Sequence, residues 1–114
     1  MRQAILTSGP VKLIGLLLRG CRVRLLRAVK AILEQDVPAA HRNLVEAEHI
    51  LLELRGCLRP EAGEVATTLS NLYTRLVDEL VIANVQKDAE RIEAIAGMVG
   101  ELVEAWDHVE ATPI

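Results

Sequence analysis

The chain has 114 residues, of which 51% are hydrophobic and 25% are charged. That length suits a single domain, and the high apolar share with mixed charge excludes a disordered chain. Aromatic residues make up only 2%, so the core must be aliphatic, which favours packed helices over a sheet sandwich.

The net charge of −3 is unevenly distributed along the chain. Residues 1–33 carry seven basic side chains and no acid, whereas residues 34–114 carry six bases and sixteen acids. A basic amino-terminal third is found in proteins that bind nucleic acid or anionic membranes. We prefer a simpler interpretation, in which one basic helix packs among acidic helices.

Neither a targeting segment nor a membrane span is predicted. The apolar run from Leu13 to Leu18 ends at Arg19, which is too short for a signal peptide or a membrane helix. We therefore expect a cytoplasmic protein with no membrane insertion. In that compartment Cys21 and Cys57, far apart and without a partner motif, should be thiols, with Cys21 in the core.

Four breaks divide the chain into helical segments. Residues 7–10, Thr-Ser-Gly-Pro, form a helix-start signal, and Asp36 should cap the second helix. The longest break runs from Gly56 to Gly63, and the last runs from Asn84 to Asp88, where Asp88 should cap the fourth helix.

Between these breaks, apolar residues recur at alternating steps of three and four, which places them on one helix face. The four rows are Ile14, Leu18, Cys21, Leu25, Ala28 and Ile32; Ala40, Leu44, Ala47, Leu51 and Leu54; Val65, Leu69, Leu72, Leu76 and Ala83, with Leu80 beside them; and Ile92, Ile95, Val99, Leu102 and Trp106. We predict an all-α fold, an antiparallel up-down four-helix bundle over residues 9–110. A short N-terminal arm, residues 1–8, precedes it, and a tail, residues 111–114, follows.

Two helices carry more apolar surface than one row requires. Leu13, Leu16, Gly20 and Val23 form a second stripe on helix one, and on helix three Ala66, Tyr73 and Val77 widen the first row. Both a broad core face and a groove for a partner helix fit this spacing.

The sequence offers little catalytic chemistry. Glu46 and His49 have the Glu-x-x-His spacing of di-iron bundles, but Glu104 and His108 are four apart, so the second motif is missing. No histidine has a lysine within a helical turn, as phosphotransfer would require. No phosphate loop or metal-binding spacing occurs. We predict no catalytic, metal or cofactor residues and a non-enzymatic binding module.

Four motifs in order resemble the FliS family, the flagellar secretion chaperones specific for flagellin. They are residues 7–20, similar to T-x-S-P…L-I-x-x-L-Y-[DE]-G; residues 36–47, similar to D-x-x-x-A-H-x-x-L-x-x-A; residues 63–73, similar to G-E-[IV]-A-x-x-L-x-x-L-Y; and residues 83–88 with Trp106, similar to A-N-x-x-x-D and a terminal tryptophan. The chain departs from the family at Leu18, Arg19 and Arg24, where tyrosine, an acid and an apolar residue are usual. These departures bear on the partner more than on the fold.

The resemblance implies a cytoplasmic export chaperone that binds the disordered C-terminal region of flagellin. Binding would prevent premature polymerisation and assist delivery to the flagellar type III export apparatus, with an export-gate component as a further partner and no nucleic acid or cofactor. Two alternatives stay open: a paralogous helical module with another client, and a basic-helix binder of nucleic acid or anionic membranes.

On this interpretation we assign a partner-binding groove to helices one and three. Its expected apolar lining is Leu13, Leu16, Val23, Tyr73 and Val77. Asn71 and Asn84 are expected to hydrogen-bond an extended client backbone, although capping roles fit them as well.

Overall fold

Four long helices make up the described part of the chain. The computed structural model describes residues 11–111, with the side chains of residues 11–108. The helices are α1 (Val11–Leu33), α2 (Val37–Gly56), α3 (Glu64–Gln86) and α4 (Ala89–Ala111), with one 3-10 turn at Pro60–Ala62. The prediction of an all-α four-helix bundle is confirmed. The predicted helix start at residues 7–10 and the N-terminal arm lie outside the described residues.

Two of the three connections are built in the same way. Gln35 and Lys87 adopt the left-handed conformation, with φ of 60° and 51°. The next residue, Asp36 or Asp88, donates its N–H to a carbonyl five residues back, which closes the preceding helix. The same aspartate then caps the following helix, because its Oδ1 accepts from the N–H of Ala39 (3.1 Å) or Arg91 (3.2 Å). Both predicted aspartate caps are confirmed.

The connection between α2 and α3 is longer and less regular. It runs through the 3-10 turn to Gly63, whose φ of 84° and ψ of −142° suit glycine far better than any residue with a Cβ. At the other end of α3 the predicted break began too early, at Asn84, since the helix continues to Gln86.

The helices form a square in which α1 packs against α2 and α4, and α3 packs mainly against α2. Neighbours run antiparallel, as shown by a bond from the Trp106 Nε1–H, late in α4, to the carbonyl of Val11 at the start of α1 (2.8 Å). Among the described residues, no Cα atom of α1 lies within 8 Å of one in α3, so these two helices occupy diagonal corners and meet only through side chains in the core. The described part measures 53 × 23 × 19 Å.

The core is aliphatic and follows the predicted rows in three helices. The rows of α1, α2 and α4 are buried, except that Ile32, Leu102 and Trp106 are only partly covered. In α3 the predicted row is partly wrong, because Val65 is 59% exposed. The observed row contains Ala66, Tyr73, Leu76, Leu80 and Ala83, with Leu69 and Leu72 partly buried beside it.

Candidate partner-binding surfaces

One apolar surface lies on the side of α1 that faces away from the core. The α1 outer row consists of Leu13, Leu16, Gly20 and Val23, as the sequence predicted. Leu13, Leu16 and Val23 are 48%, 55% and 44% exposed, although Ile14, Leu18 and Leu25 on the inner face are almost completely buried. The core therefore closes without the outer row, and these side chains remain available for contact.

Charged side chains fix both flanks of α1. Arg19 pairs with Asp107 of α4, and Arg24 Nε lies 3.4 Å from Glu46 Oε1 of α2. On the α4 side, Arg22 also lies over Gly100, where an added Cβ would come within 3.4 Å of Arg22 Nε. These pairs agree with the interpretation of α1 as a basic helix among acidic ones. They are exposed, so they orient α1 more than they stabilise it.

The predicted groove needs correction at Tyr73. Tyr73 is only 4% exposed and belongs to the hydrophobic core, so its ring does not line an open surface. The reason is the rotation of the α3 row, which places position 73 on the inner face with Leu76 and Leu80. Val77 is half-buried and packs against the same core.

The structure also separates the two halves of the predicted groove. Since α1 and α3 are at diagonal corners, Leu13, Leu16 and Val23 cannot share one trough with Val77. The sequence period correctly located apolar residues outside the main rows, but it carries no information on which helices become neighbours. The residues therefore divide between two surfaces.

The second surface follows the seam between α2 and α3. Two hydrogen bonds mark this seam: Arg55 donates to Thr74 (3.0 Å), and Asn84 donates to His41 Nδ1 (3.1 Å). At 100° per residue, one half-buried or exposed apolar set lies on the same sides of α2 and α3 as these bonding partners. We call this set the α2–α3 patch, and it consists of Val45, Leu52, Val77 and Val81.

The two predicted asparagines have different surroundings. Asn71 is exposed and makes no hydrogen bond within the described part of the chain. Asn84 Oδ1 accepts from Lys87 Nζ at 2.8 Å, and its amide nitrogen points to His41. The Asn84 carboxamide is therefore engaged within the fold, and only Asn71 presents an uncommitted amide.

Two titratable side chains, Cys21 and Tyr73, are buried in the core and are not part of either surface. Burial raises the pKa of the Cys21 thiol to about 12, and its sulfur lies 3.7 Å from the Ala47 carbonyl oxygen. Burial, together with the nearby Cys21 and Cys57 thiols, raises the pKa of Tyr73 to about 12. Both side chains are buried and behave as core residues. Both cysteines are thiols, as predicted.

The residues that resembled a di-iron motif are on the surface. Glu46 and His49 are exposed, and Glu46 is paired with Arg24. Within residues 11–108, no three His, Cys, Asp or Glu side chains come together in a way that could hold a metal ion.

Sequence analysis missed several exposed apolar residues. Val81 follows Val77 by one helical turn and extends the same side of α3, a signal that the spacing of four could have revealed. Leu26 and Leu33 on α1 are 45% and 73% exposed but lie outside the outer row. Single exposed apolar residues of this kind are common on protein surfaces and do not by themselves indicate a binding site.

The fold places the chain among small all-α four-helix bundles whose outer faces present leucine and valine side chains. The family model for "Flagellar protein FliS" matches residues 1–113. The chain thus belongs to the FliS family, and the resemblance inferred from its motifs is confirmed. Membership of this family supports a chaperone role in flagellar export.

Curated relatives agree over most of their length. The chain is 32% identical over 111 residues to the flagellar secretion chaperone FliS of Salmonella typhimurium, covering 96% of this chain and 82% of the relative. It is 36% identical over 103 residues to the FliS chaperone of Campylobacter jejuni, covering 90% and 80%. For that of Bacillus subtilis the identity is 27% over 105 residues, covering 92% and 78%.

None of the helices in the described part of the chain combines the length and apolar character that crossing a membrane demands.

Proposed function

We propose that this protein is a cytoplasmic chaperone that binds the disordered C-terminal region of flagellin. The complex keeps flagellin from polymerising early and hands it to the flagellar type III export apparatus, where an export-gate component is a further partner. The proposal rests on one observation: leucines and valines are exposed or half-exposed on two surfaces of a bundle whose core is filled by other residues, with Val77 packed at its edge.

The physical logic favours a client that orders as it binds. A disordered segment spreads over a wide surface and has a modest affinity for the area it buries, which suits a complex that must later release its cargo. The two surfaces lie on different sides of the bundle, whose shorter dimensions are 23 and 19 Å, and a fully extended segment of about seven residues spans the larger of these. A client segment that passes around the bundle therefore reaches both the α1 outer row and the α2–α3 patch.

The residues that we propose to hold the client are those of the two surfaces. On α1 they are Leu13, Leu16 and Val23, and on the second surface Val77 contributes together with its neighbours. Asn71 offers an uncommitted amide to an extended backbone, whereas Asn84 would first have to leave Lys87 and His41. Tyr73 supports this surface from the core.

The test compares two double variants against the C-terminal segment of flagellin. Leu16→Glu with Val81→Glu places one charge on each surface, and we expect affinity to fall about a hundredfold, because burying a carboxylate in an apolar contact is costly. Leu33→Glu with Val65→Glu is the matched control, since both positions are exposed and outside the two surfaces. We expect the control to bind within about twofold of the native chain.

Titration calorimetry measures both affinities, and thermal unfolding by circular dichroism confirms that each variant folds. A native chain that does not bind the flagellin segment would overturn flagellin as the client. Equal weakening by both variants would show that the two surfaces are not the binding site.

A further inference from the structure

The α1 outer row continues beyond its apolar residues. The spacing from Leu13 through Leu16, Gly20 and Val23 alternates between three and four, and the next two positions in this series are Arg27 and Lys30. All six residues lie on the same side of α1. The row is thus apolar over its first four positions and cationic over its last two.

The two cations at this end are not neutralised by the fold. Arg19 and Arg24 on the flanks of α1 have acidic partners, Asp107 and Glu46. Arg27 and Lys30 are exposed, and no acidic side chain among residues 11–108 forms an ion pair with either. No Asp or Glu occurs within α1, and the first acid beyond it, Glu34, lies one turn after Lys30 and forms no ion pair with it.

The middle of the row has no side chain, because Gly20 lies there, and another backbone can approach α1 at this point. Gly20 separates Leu16 from Val23, and a Cβ added there would meet only Ile50 Cδ1, at 3.9 Å. A helix lying along α1 would rest over Gly20 and insert its side chains beside Leu16 and Val23. From position 13 to position 30 the row extends about 26 Å, or nearly five helical turns.

Resting on the function proposed above, we infer that the α1 outer row binds an acidic amphipathic helix of the client in one direction only. The apolar residues of that helix lie over Leu13, Leu16 and Val23. Its Asp or Glu side chains lie over Arg27 and Lys30. The apolar end supplies affinity, and the charged end fixes direction and register.

Charge argues against a second copy of this chain as the occupant. In a symmetric dimer through this row, the cations of each copy would face either the cations or the apolar half of the other copy, and neither half of the row contains an acid. A membrane or a nucleic acid is also disfavoured, because aromatic side chains commonly anchor such contacts and the chain has only two. Of these two aromatic residues, Tyr73 is buried in the core, and the Trp106 indole N–H donates a hydrogen bond to the Val11 carbonyl.

The probe is a synthetic helix of about 20 residues with leucine at alternating spacings of three and four in one half. Glutamate continues the same positions in the other half, and a second peptide carries lysine instead of glutamate. The variant is Arg27→Glu with Lys30→Glu. Its matched control is Arg42→Glu with Arg75→Glu, which makes the same change in net charge at exposed positions of α2 and α3.

Fluorescence anisotropy measures peptide affinity at low and at high salt. We expect reversal at Arg27 and Lys30 to weaken the glutamate peptide about thirtyfold at low salt, and the control to change it less than about threefold. The lysine peptide should show the opposite preference, binding the reversed variant more tightly than the native chain. High salt should remove most of these differences.

Three results would overturn this inference. The first is equal weakening of glutamate-peptide binding by both variants, and the second is equal affinity of the native chain for both peptides. The third is that the native chain binds vesicles of phosphatidylcholine and phosphatidylglycerol, and that charge reversal at Arg27 and Lys30 abolishes this binding but does not change peptide binding. Thermal unfolding confirms folding of each variant, with Arg27→Gln and Lys30→Gln as a milder pair. The flagellin segment is titrated separately, so its failure to bind would remove flagellin as the client while the peptide series alone decides the charge preference of the row.

Discussion

The inner and outer faces of α1 have the same residue spacing, but one is buried and the other is exposed. The inner face, represented by Leu18 and Leu25, is sealed by α2 and α4, whereas the outer row keeps Leu16 and Val23 about half exposed. Both faces repeat at alternating steps of three and four, so helical period alone does not distinguish them. The charged residues beside each row differ: ion pairs to neighbouring helices flank α1, and the outer row ends in Arg27 and Lys30, which form no ion pair within residues 11–108. A bundle can therefore build its core and an exposed apolar surface from one pattern.

The largest expected difference between the faces is in stability. Leu25→Ala should lower the free energy of unfolding by about 3 kcal/mol, because Leu25 is fully buried and a cavity would remain. Leu16→Ala, the matched change on the outer face, should alter it by less than about 0.5 kcal/mol. Urea titration measures both, and similar losses for the two variants would contradict the division into faces.

The next largest effect should be a loss of folding stability at alkaline pH, caused by the buried Cys21 thiol of the inner face. Burial raises the pKa of Cys21 from 9.0 to about 12, so above pH 9 the unfolded chain releases a proton that the folded chain retains. Stability contributed by the protonated thiol is complete below pH 9 and is lost as pH rises toward 12. At pH 10.5 this loss should be about 2 kcal/mol.

Cys21→Ala is the control for that titration, and unfolding free energies at pH 8 and pH 10.5 provide the measurement. The variant should lose about 2 kcal/mol less than the native chain over this interval. Folding raises the pKa of Tyr73 from 10.0 to about 12, which adds a smaller loss of stability at pH 10.5 in both proteins. Identical pH dependence in the two proteins would show that Cys21 is not shielded from water.

A smaller effect is expected where the first turn of α1 meets α4. Trp106→Phe keeps the ring contact but removes the hydrogen bond to the Val11 carbonyl, at a cost of about 1 kcal/mol. Urea unfolding measures this cost, and amide exchange should show faster opening of the first turn of α1. If stability and exchange both stay unchanged, the Trp106 bond does not hold the start of α1.

The smallest change should sharpen the comparison by strengthening the fold without touching the outer face. Gln35 adopts φ of 60°, a conformation that disfavours side chains, so Gln35→Gly should stabilise the protein by about 0.5 kcal/mol. Gln35→Ala is the matched control and should give no gain. Client affinity, measured alongside thermal unfolding, should be the same for both variants, and altered affinity would mean that this turn contributes to binding.

Most of the fold could be predicted from the sequence because breaks and period act locally. Asp36 and Asp88 correctly predicted the starts of α2 and α4, and the rows predicted for α1, α2 and α4 agree with the observed core. The row of α3 was partly misplaced because positions 65 and 66 both fit a helical period. Packing around Tyr73 selects the side that includes Ala66, and such contacts between distant segments leave no local signal.

The candidate site was less predictable for the same reason. Sequence spacing identified Leu13, Leu16 and Val23 as surplus apolar residues, and they are exposed. It could not show that α1 and α3 are diagonal, which divides the expected groove in two. It also could not show that Arg27 and Lys30 form no ion pair within residues 11–108, because ion pairing depends on which helices meet.

The aspartate turns at Asp36 and Asp88 have a practical consequence for tagging this protein. Each aspartate closes one helix with its N–H and opens the next with its carboxylate, so a fluorescent tag inserted at either turn would disrupt two helices at once. In the irregular connection at residues 57–63, the residue that joins two elements is Gly63, at the start of α3, and Arg59, Pro60 and Glu61 before it are exposed. A reporter for following the chaperone in living bacteria therefore belongs in that loop.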